Sequence, residues 1–182
     1  ADLIADTTRA TITVGPMARL NVPGLLAELD RYPYGCAEQT TSRALPLLYA
    51  NDVARLIGLG ADDEIRGRIS GALTRLYDMQ DSSGAFGIWG PSDGDLWLTS
   101  YVTDFLVRAR EAGHTVNAKV LGLALDRLAN SVAYAQDFEK GGETRAYAIY
   151  VLARAGKAPA SEIRYYVDSR LDRFATPLAM AQ

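Results

Sequence analysis

Apolar residues recur with a helical period along most of the chain after Pro23, and turn-forming residues separate the periodic segments. One segment shows the pattern clearly, because Ile65, Ile69, Leu73 and Leu76 fall on a single helical face. The pattern predicts helices over residues 23–29, 36–56, 62–79, 96–112, 117–135, 144–155 and 160–171, with a last helix beginning near Thr176.

Two stretches of the chain depart from the regular helical pattern. Pro46 lies inside the segment 36–56 and predicts a kink or a break near residues 42–45. Residues 81–94, DSSGAFGIWGPSDG, are rich in turn formers and also carry Phe86, Ile88 and Trp89. We expect this apolar loop to fold back onto the body of the protein.

The order of elements predicts an all-α fold built from paired helices, since no strand pattern separates the helices. Alternation typical of a strand occurs only at residues 10–14, so residues 1–20 are interpreted as an extended connector from a preceding domain. Residues 21–182 form the predicted helical domain. Its last segment, TPLAMAQ, is apolar and uncapped, which indicates a domain truncated at its C-terminus with exposed apolar surface or a partner there.

Composition narrows the possible functions. The 182 residues are 48% hydrophobic and 23% charged, enough for one sizeable core. The formal net charge is −3, so the chain has no excess of positive charge to attract a phosphate backbone, and nucleic acid is not an expected partner. Charged residues interrupt every apolar stretch before the roughly 20 residues of a membrane span, so no transmembrane segment is predicted. The N-terminal ADLIADTT lacks the features of a signal peptide, and any targeting signal is expected outside this sequence.

The candidate chemistry lies in YPYGCAEQTTSRALPLLY, residues 32–49. Cys36 and Gln39 stand three positions apart, which places their side chains on one helical face. If the sulfur attacks the Gln39 carboxamide and ammonia leaves, the product is an internal thioester. An outside amine would then form a stable amide with Gln39 and release the Cys36 thiol, because a thiolate is the better leaving group.

Such a bond must be kept dry, because water competes as a nucleophile. The aromatic side chains that could cover the bond are those of Tyr32, Tyr34 and Trp89. Gly35 has no side chain, so the backbone can approach the bond closely. Simpler interpretations remain open at this point. The single Cys36 is compatible with an inert buried thiol in a helical binding module, and Glu38 with an acid favoured in a first helical turn.

The longer sequence resembles a known family. PYGCAEQTTSRALPLLY resembles the thioester motif of the bacterial alpha-2-macroglobulins, and GCAEQ is similar to that of complement thioester proteins. GAFGIWG, DLWLTSYVTDFLVRA and ETRAYAIYVLARAGK resemble later segments of the same thioester domain. The resemblance implies an α/α toroid, of which this chain holds the first part. It also implies that Cys36 is the thioester sulfur and Gln39 the acyl donor, with Glu38 between them.

The resemblance further implies a protease trap. In this family, cleavage of a bait segment elsewhere in the parent chain exposes the thioester, which couples to a lysine amine of the attacking protease. The protein would thus be a single-turnover inhibitor rather than an enzyme, acting with the macroglobulin-like domains of its parent. The resemblance also implies a role in bacterial defence in the periplasm, with a parent that is often an inner-membrane lipoprotein.

Histidine bears on the selectivity of this chemistry. In some complement relatives a downstream histidine attacks the thioester first and passes the acyl group to hydroxyls. The single histidine here, His114, is predicted on a turn between helices, whereas the matching position falls within residues 132–139, which contain none. We therefore expect a preference for amines. The rival hypothesis, a Cys-dependent hydrolase or transferase on a helical toroid, requires His114 within hydrogen-bond reach of Cys36.

The remaining candidates are expected to be structural. Asp93, Asp95 and Asp104 suggest a metal site or paired carboxylates, but helix-cap and solvated-face roles are favoured. No metal or cofactor is implied. Trp97, Tyr101 and the other aromatic residues at helical spacing are predicted to belong to the core.

Overall fold

The computed structural model describes residue 24 and residues 35–49, 62–134, 136, 138 and 141–182. Within these ranges there are seven named α-helices and no β-strand, which confirms the all-α prediction. The helices are α1 (Ala37–Ala44), α2 (Asp62–Tyr77), α3 (Leu96–Glu111), α4 (Ala118–Tyr134), α5 (Glu143–Arg154), α6 (Ala160–Ser169) and α7 (Pro177–Ala181), with 3-10 helices at Leu45–Leu48 and Leu171–Arg173.

Helix α3 is the central element of the described fold. It packs against α1, α4 and α5, and α4 also packs against α5. Val102, Phe105 and Leu106 on α3 are completely buried, as expected for a helix that is apolar on most of its surface. Helix α1, which carries the candidate pair, lies against both α2 and α3. The site is therefore built on the core of the fold.

Several local predictions are confirmed in detail. The predicted apolar face of α2 is buried at Ile65, Ile69, Leu73 and Leu76. Pro46 stands in the first turn of the 3-10 helix that follows α1, so the chain changes helix type where the kink was predicted. Proline lacks the N–H that a continuing α-helix would need.

The loop over residues 81–94 folds back through Phe86. The Asp81 carboxylate accepts hydrogen bonds from the backbone N–H groups of Ser83 and Ala85, which turns the chain. Phe86 is completely buried, whereas Ile88 and Trp89 remain 52% and 67% exposed. The loop thus docks by one aromatic side chain and by its backbone rather than by all three apolar residues.

Part of the predicted architecture lies outside the described residues. This applies to the connector over 1–20, the strand over 10–14, the helix over 23–29 apart from Gly24, and the second half of the segment 36–56. The exposed apolar surface expected at the C-terminal edge is present, with Leu178 68% and Met180 43% exposed. None of the described helices is long and apolar enough to cross a membrane.

Candidate functional site

Cys36 caps the N-terminus of α1 and contacts Gln39. Its backbone is extended, with φ −68° and ψ 166°, and its Sγ accepts a hydrogen bond from the Gln39 N–H at 3.4 Å. A side chain in this position satisfies one of the N–H groups that have no partner within the helix. Cys36 is a free thiol and is 6% exposed. The structure thus places the predicted pair in one helical turn, with Cys36 buried and Gln39 half-buried.

The carbonyl oxygen of the Gln39 side chain is unusual. Oε1 is fully buried and has no hydrogen-bond partner in the described part of the chain. Leaving a buried acceptor unsatisfied costs about 1–3 kcal/mol, so such groups are rare outside functional sites. Negative charge developing on this oxygen during nucleophilic attack would meet no donor among the described residues, so this geometry provides no oxyanion stabilisation there.

The start of α1 is held from two directions. Ala37 N–H donates to the Ile88 carbonyl at 2.8 Å, which ties the helix to the loop over 81–94. Arg75 Nε on α2 donates to the Gly35 carbonyl at 2.8 Å. A Cβ at Gly35 would lie 2.3 Å from Arg75 Nη2, so the glycine permits this approach. These contacts fix the backbone on both sides of Cys36.

A second hydrogen-bonded group adjoins the pair. Ser42 Oγ lies 2.7 Å from Glu38 Oε1 and 3.0 Å from Tyr101 Oη. Ser42 has one hydroxyl hydrogen and donates it to the Glu38 carboxylate. The Ser42 oxygen therefore accepts the hydrogen bond from the Tyr101 hydroxyl. Burial, opposed in part by the bond to Ser42, raises the pKa of Tyr101, so the phenol stays neutral and can donate. Trp97 stacks on Tyr101 but is 45% exposed, so its prediction as a core residue is wrong.

Asp104 was expected on a solvated face, and this is wrong. It is 3% exposed on α3, where it accepts hydrogen bonds from Arg108 Nε at 2.8 Å and from Tyr147 Oη at 3.0 Å. Arg108 also donates to the hydroxyls of Tyr49 and Tyr150. The available signal was the pair Asp104 and Arg108 at i,i+4, with apolar residues between them on the same helix.

The other two aspartates match structural roles. Asp95 caps α3 by accepting from Leu98 N–H at 2.8 Å, as predicted. Asp93 forms an exposed ion pair with Arg127 at 2.6 Å. In the described ranges no three His, Cys, Asp or Glu residues lie together as a metal site would require.

His114 lies on the predicted turn between α3 and α4, with its N–H bonded to the Ala109 carbonyl. Among the described residues no hydrogen bond joins His114 to Cys36, whose sulfur accepts from the Gln39 N–H. The described structure therefore shows no Cys–His pair of the kind that the hydrolase alternative requires.

We expect His114→Gln to reduce the acid sensitivity of the protein. Burial and, to a smaller extent, Arg66 lower the pKa of His114. The unfolded chain therefore binds the proton more readily, and wild-type stability falls as the pH drops through about 6.5 toward the folded-state pKa. Urea unfolding at pH 7.5 and at pH 5 should show a smaller loss for the variant. An identical loss would contradict the assignment.

Of the three aromatic residues predicted to cover the thioester, the structure describes only Trp89. Trp89 follows Ile88, the residue whose carbonyl holds α1, but most of its indole faces solvent. Tyr32 and Tyr34 lie outside the described residues. Their covering roles, and that of Trp89, remain predictions.

Comparison with known proteins identifies the family. Residues 8–141 match the family described as the A-macroglobulin TED domain. Over 167 residues, 84% of this chain, the sequence is 37% identical to alpha-2-macroglobulin of Escherichia coli (strain K12). The chain belongs to the alpha-2-macroglobulin family. It spans 10% of the length of that relative, so it corresponds to one part of a much longer alpha-2-macroglobulin.

Solved alpha-2-macroglobulins share the arrangement of the helices. The crystal structure of native Escherichia coli alpha-2-macroglobulin from domain MG7 to the C-terminus has a TM-score of 0.75 at 33% identity, covering 88% of this chain and 27% of that one. Salmonella alpha-2-macroglobulin reacted with methylamine gives 0.72 at 32% identity, covering 85% and 11%. The fold is therefore that of the thioester domain of bacterial alpha-2-macroglobulins.

Proposed function

We propose that Cys36 and Gln39 form an internal thioester that couples covalently to amines of an attacking protease. The observation that carries this proposal is the half-buried helical turn in which the buried Cys36 Sγ lies 3.4 Å from the Gln39 backbone nitrogen. The turn holds sulfur and carboxamide on one short stretch of helix, so their reaction is effectively intramolecular. The reaction of the Salmonella relative with methylamine supports an amine as the nucleophile.

The proposed chemistry has two steps. In the first, the Cys36 sulfur attacks Cδ of Gln39, a C–S bond forms, the C–N bond breaks, and the nitrogen leaves as ammonia with the proton that the thiol gives up. In the second, a neutral lysine amine attacks the same carbon, a C–N bond forms, the C–S bond breaks and the departing sulfur takes up a proton. The Gln39 acyl group is consumed, so each chain reacts once and the protein acts as an inhibitor rather than as a turnover catalyst.

The surroundings of the Gln39 side-chain carbonyl would keep the proposed thioester unreactive until the parent protein is cleaved. Gln39 Oε1 is buried without a described donor, so in this arrangement an oxyanion on it is unstabilised and attack by any outside nucleophile, water included, is slowed. In the parent protein, bait cleavage by the target protease would open this environment. No hydrogen bond links His114 to Cys36 or Gln39 among the described residues, so we propose direct attack by amines without an imidazole relay. We also propose that the parent acts in the periplasm, as an inner-membrane lipoprotein that contributes to bacterial defence.

Coupling to trypsin tests this function in the full-length parent protein. Native trypsin should give a covalent conjugate that survives boiling in denaturant and reductant, because the product is an amide. Trypsin whose amines have been dimethylated still cleaves the bait but offers no primary or secondary amine. It should release the Cys36 thiol without forming the conjugate. Equal conjugation by both forms of trypsin, or by neither, would refute amine coupling.

A further inference from the structure

Helix α1 has a buried side and a partly exposed side, and Gln39 belongs to the exposed one. The partly exposed residues of this helix are Glu38, Gln39, Ser42 and Arg43. Among the residues that the structure describes, this is the side of α1 that faces an incoming nucleophile. The two charged side chains there, Glu38 and Arg43, therefore influence which charge such a nucleophile meets near Gln39.

The two charges lie on opposite edges of this exposed side. Arg43 lines a cavity between α1 and α2, so its positive charge is on the α2 edge. Glu38 is held on the α3 edge, because its Oε1 accepts a hydrogen bond from Ser42 Oγ at 2.7 Å, and Ser42 in turn accepts from the hydroxyl of Tyr101 on α3 at 3.0 Å. The α3 edge beside Gln39 thus carries negative charge.

This carboxylate is held close to the proposed reacting carbon. Ser42 is three positions after Gln39, so the two side chains are neighbours on the helix surface, and a carboxylate bonded to Ser42 lies within about one helical turn of Gln39. No ion pair between Glu38 and a lysine or arginine occurs in the described ranges. Burial is the main cause of the raised pKa of Tyr101, and the negative charge of Glu38 adds to it.

We infer that Glu38 determines which amines react at Gln39, by favouring nucleophiles that carry additional positive charge and by disfavouring anionic ones. The inference rests on the proposed thioester. It concerns the choice of nucleophile, since the attacking group remains a neutral amine. The substrate class is a lysine amine on a positively charged protein surface. Tyr101 acts through Ser42 as a positioning residue for the carboxylate.

Two small amines of opposite fixed charge test the inference in the full-length parent protein. Aminoethyl trimethylammonium is cationic and taurine is anionic, and both carry a primary amine on an ethyl chain. The measured quantity is the ratio of their rates of thiol release, cationic over anionic. In Glu38→Gln this ratio should fall about tenfold, as expected when one unit charge within a helical turn is removed. Comparison with the wild-type ratio cancels the intrinsic reactivity of each amine.

Glu64→Gln is the matched control. It removes the same charge from an exposed position in the first turn of α2, whereas the contact of α2 with Gly35 is made by Arg75 in the last turn. The control should keep the wild-type ratio. Equal ratios in Glu38→Gln and Glu64→Gln would overturn the inference.

Tyr101→Phe tests the positioning role. It keeps the charge of Glu38 but removes the hydrogen bond that orients the carboxylate through Ser42, so the ratio should fall by a smaller factor than in Glu38→Gln. A purely structural role of Tyr101 would change both rates equally. An unchanged ratio would therefore contradict positioning by Tyr101.

Salt provides a test that needs no substitution and applies even if Glu38→Gln does not fold. The wild-type ratio should fall as ionic strength rises, because salt screens the charge of a partly exposed carboxylate. A ratio that does not change with salt would overturn the inference. Intact mass, measured on the same samples before amine is added, reports the loss of ammonia separately. Absence of that loss would refute the thioester and this inference with it, whereas its presence with unaltered ratios would refute the inference alone.

Discussion

Replacing Cys36 with alanine in the full-length protein is expected to abolish both methylamine-dependent thiol release and covalent coupling to trypsin. Thiol release should fall from one per chain to none, because Cys36 is the single cysteine of this sequence and no sulfur remains to form the bond. The side chain is small and buried, so most of the packing of α1 should persist. Thiol titration and denaturing electrophoresis measure the two effects.

Gln39→Glu is the informative partner of this variant. The substitution keeps the length of the side chain but removes ammonia as the leaving group, so the sulfur should remain a free thiol throughout. Cys36→Ala should thus show no thiol at Cys36 at any time, and Gln39→Glu should show one before methylamine is added. Undiminished coupling to trypsin in either variant, with folding confirmed by unchanged thermal unfolding, would place the reactive bond elsewhere.

Asp104→Ala is expected to cause the largest loss of stability among the polar substitutions. The buried Asp104 accepts bonds from Arg108 and Tyr147 in the interface of α3 with α5, and its loss leaves both part-buried donors without this partner. Removing one member of a buried ion pair costs about 3 kcal/mol, and we expect a loss of this order in the free energy of unfolding.

Asp93→Ala provides the control for this prediction. Asp93 also pairs with an arginine, but its side chain is 79% exposed. An exposed pair contributes little, so a loss below about 0.5 kcal/mol is expected in urea unfolding. If the two alanine variants lost equal stability, the buried network around Asp104 would not hold α3 to α5.

The sequence specified those features that depend on neighbours along the chain. The face formed by Ile65, Ile69 and Leu73 could be read from its period, because each residue lies one turn from the next. The change of helix type at Pro46 follows from the missing N–H of proline, and the cap at Asp95 from its own side chain. These outcomes need no knowledge of the tertiary fold.

Features set by distant residues could not be predicted in the same way. The burial of Asp104 depends on Tyr147, 43 positions later, which turns an apparent surface residue into part of a buried network. The exposure of Ile88 and Trp89 depends on how the loop is bonded through its backbone.

The same division applies within the site. The position of Cys36 and Gln39 in one helical turn was predictable from their spacing, and the contact that the structure shows there joins the Cys36 sulfur to the Gln39 backbone N–H. The contact of Arg75 with Gly35 spans 40 positions, and that of Tyr101 with Ser42 spans 59. Sequence spacing therefore indicated the candidate pair, whereas the residues that hold and surround it required the structure.

Intact mass spectrometry of the full-length protein, with and without methylamine, tests the thioester most directly. Before treatment, the mass of the protein should be about 17 Da below the mass calculated from its sequence. This difference is the ammonia lost when Gln39 acylates the Cys36 sulfur. After treatment, it should carry one methylamine, located at Gln39 by peptide mapping, and one additional titratable thiol at Cys36. Full sequence mass with an unmodified Gln39 and a free Cys36 thiol, both before and after methylamine, would contradict the account.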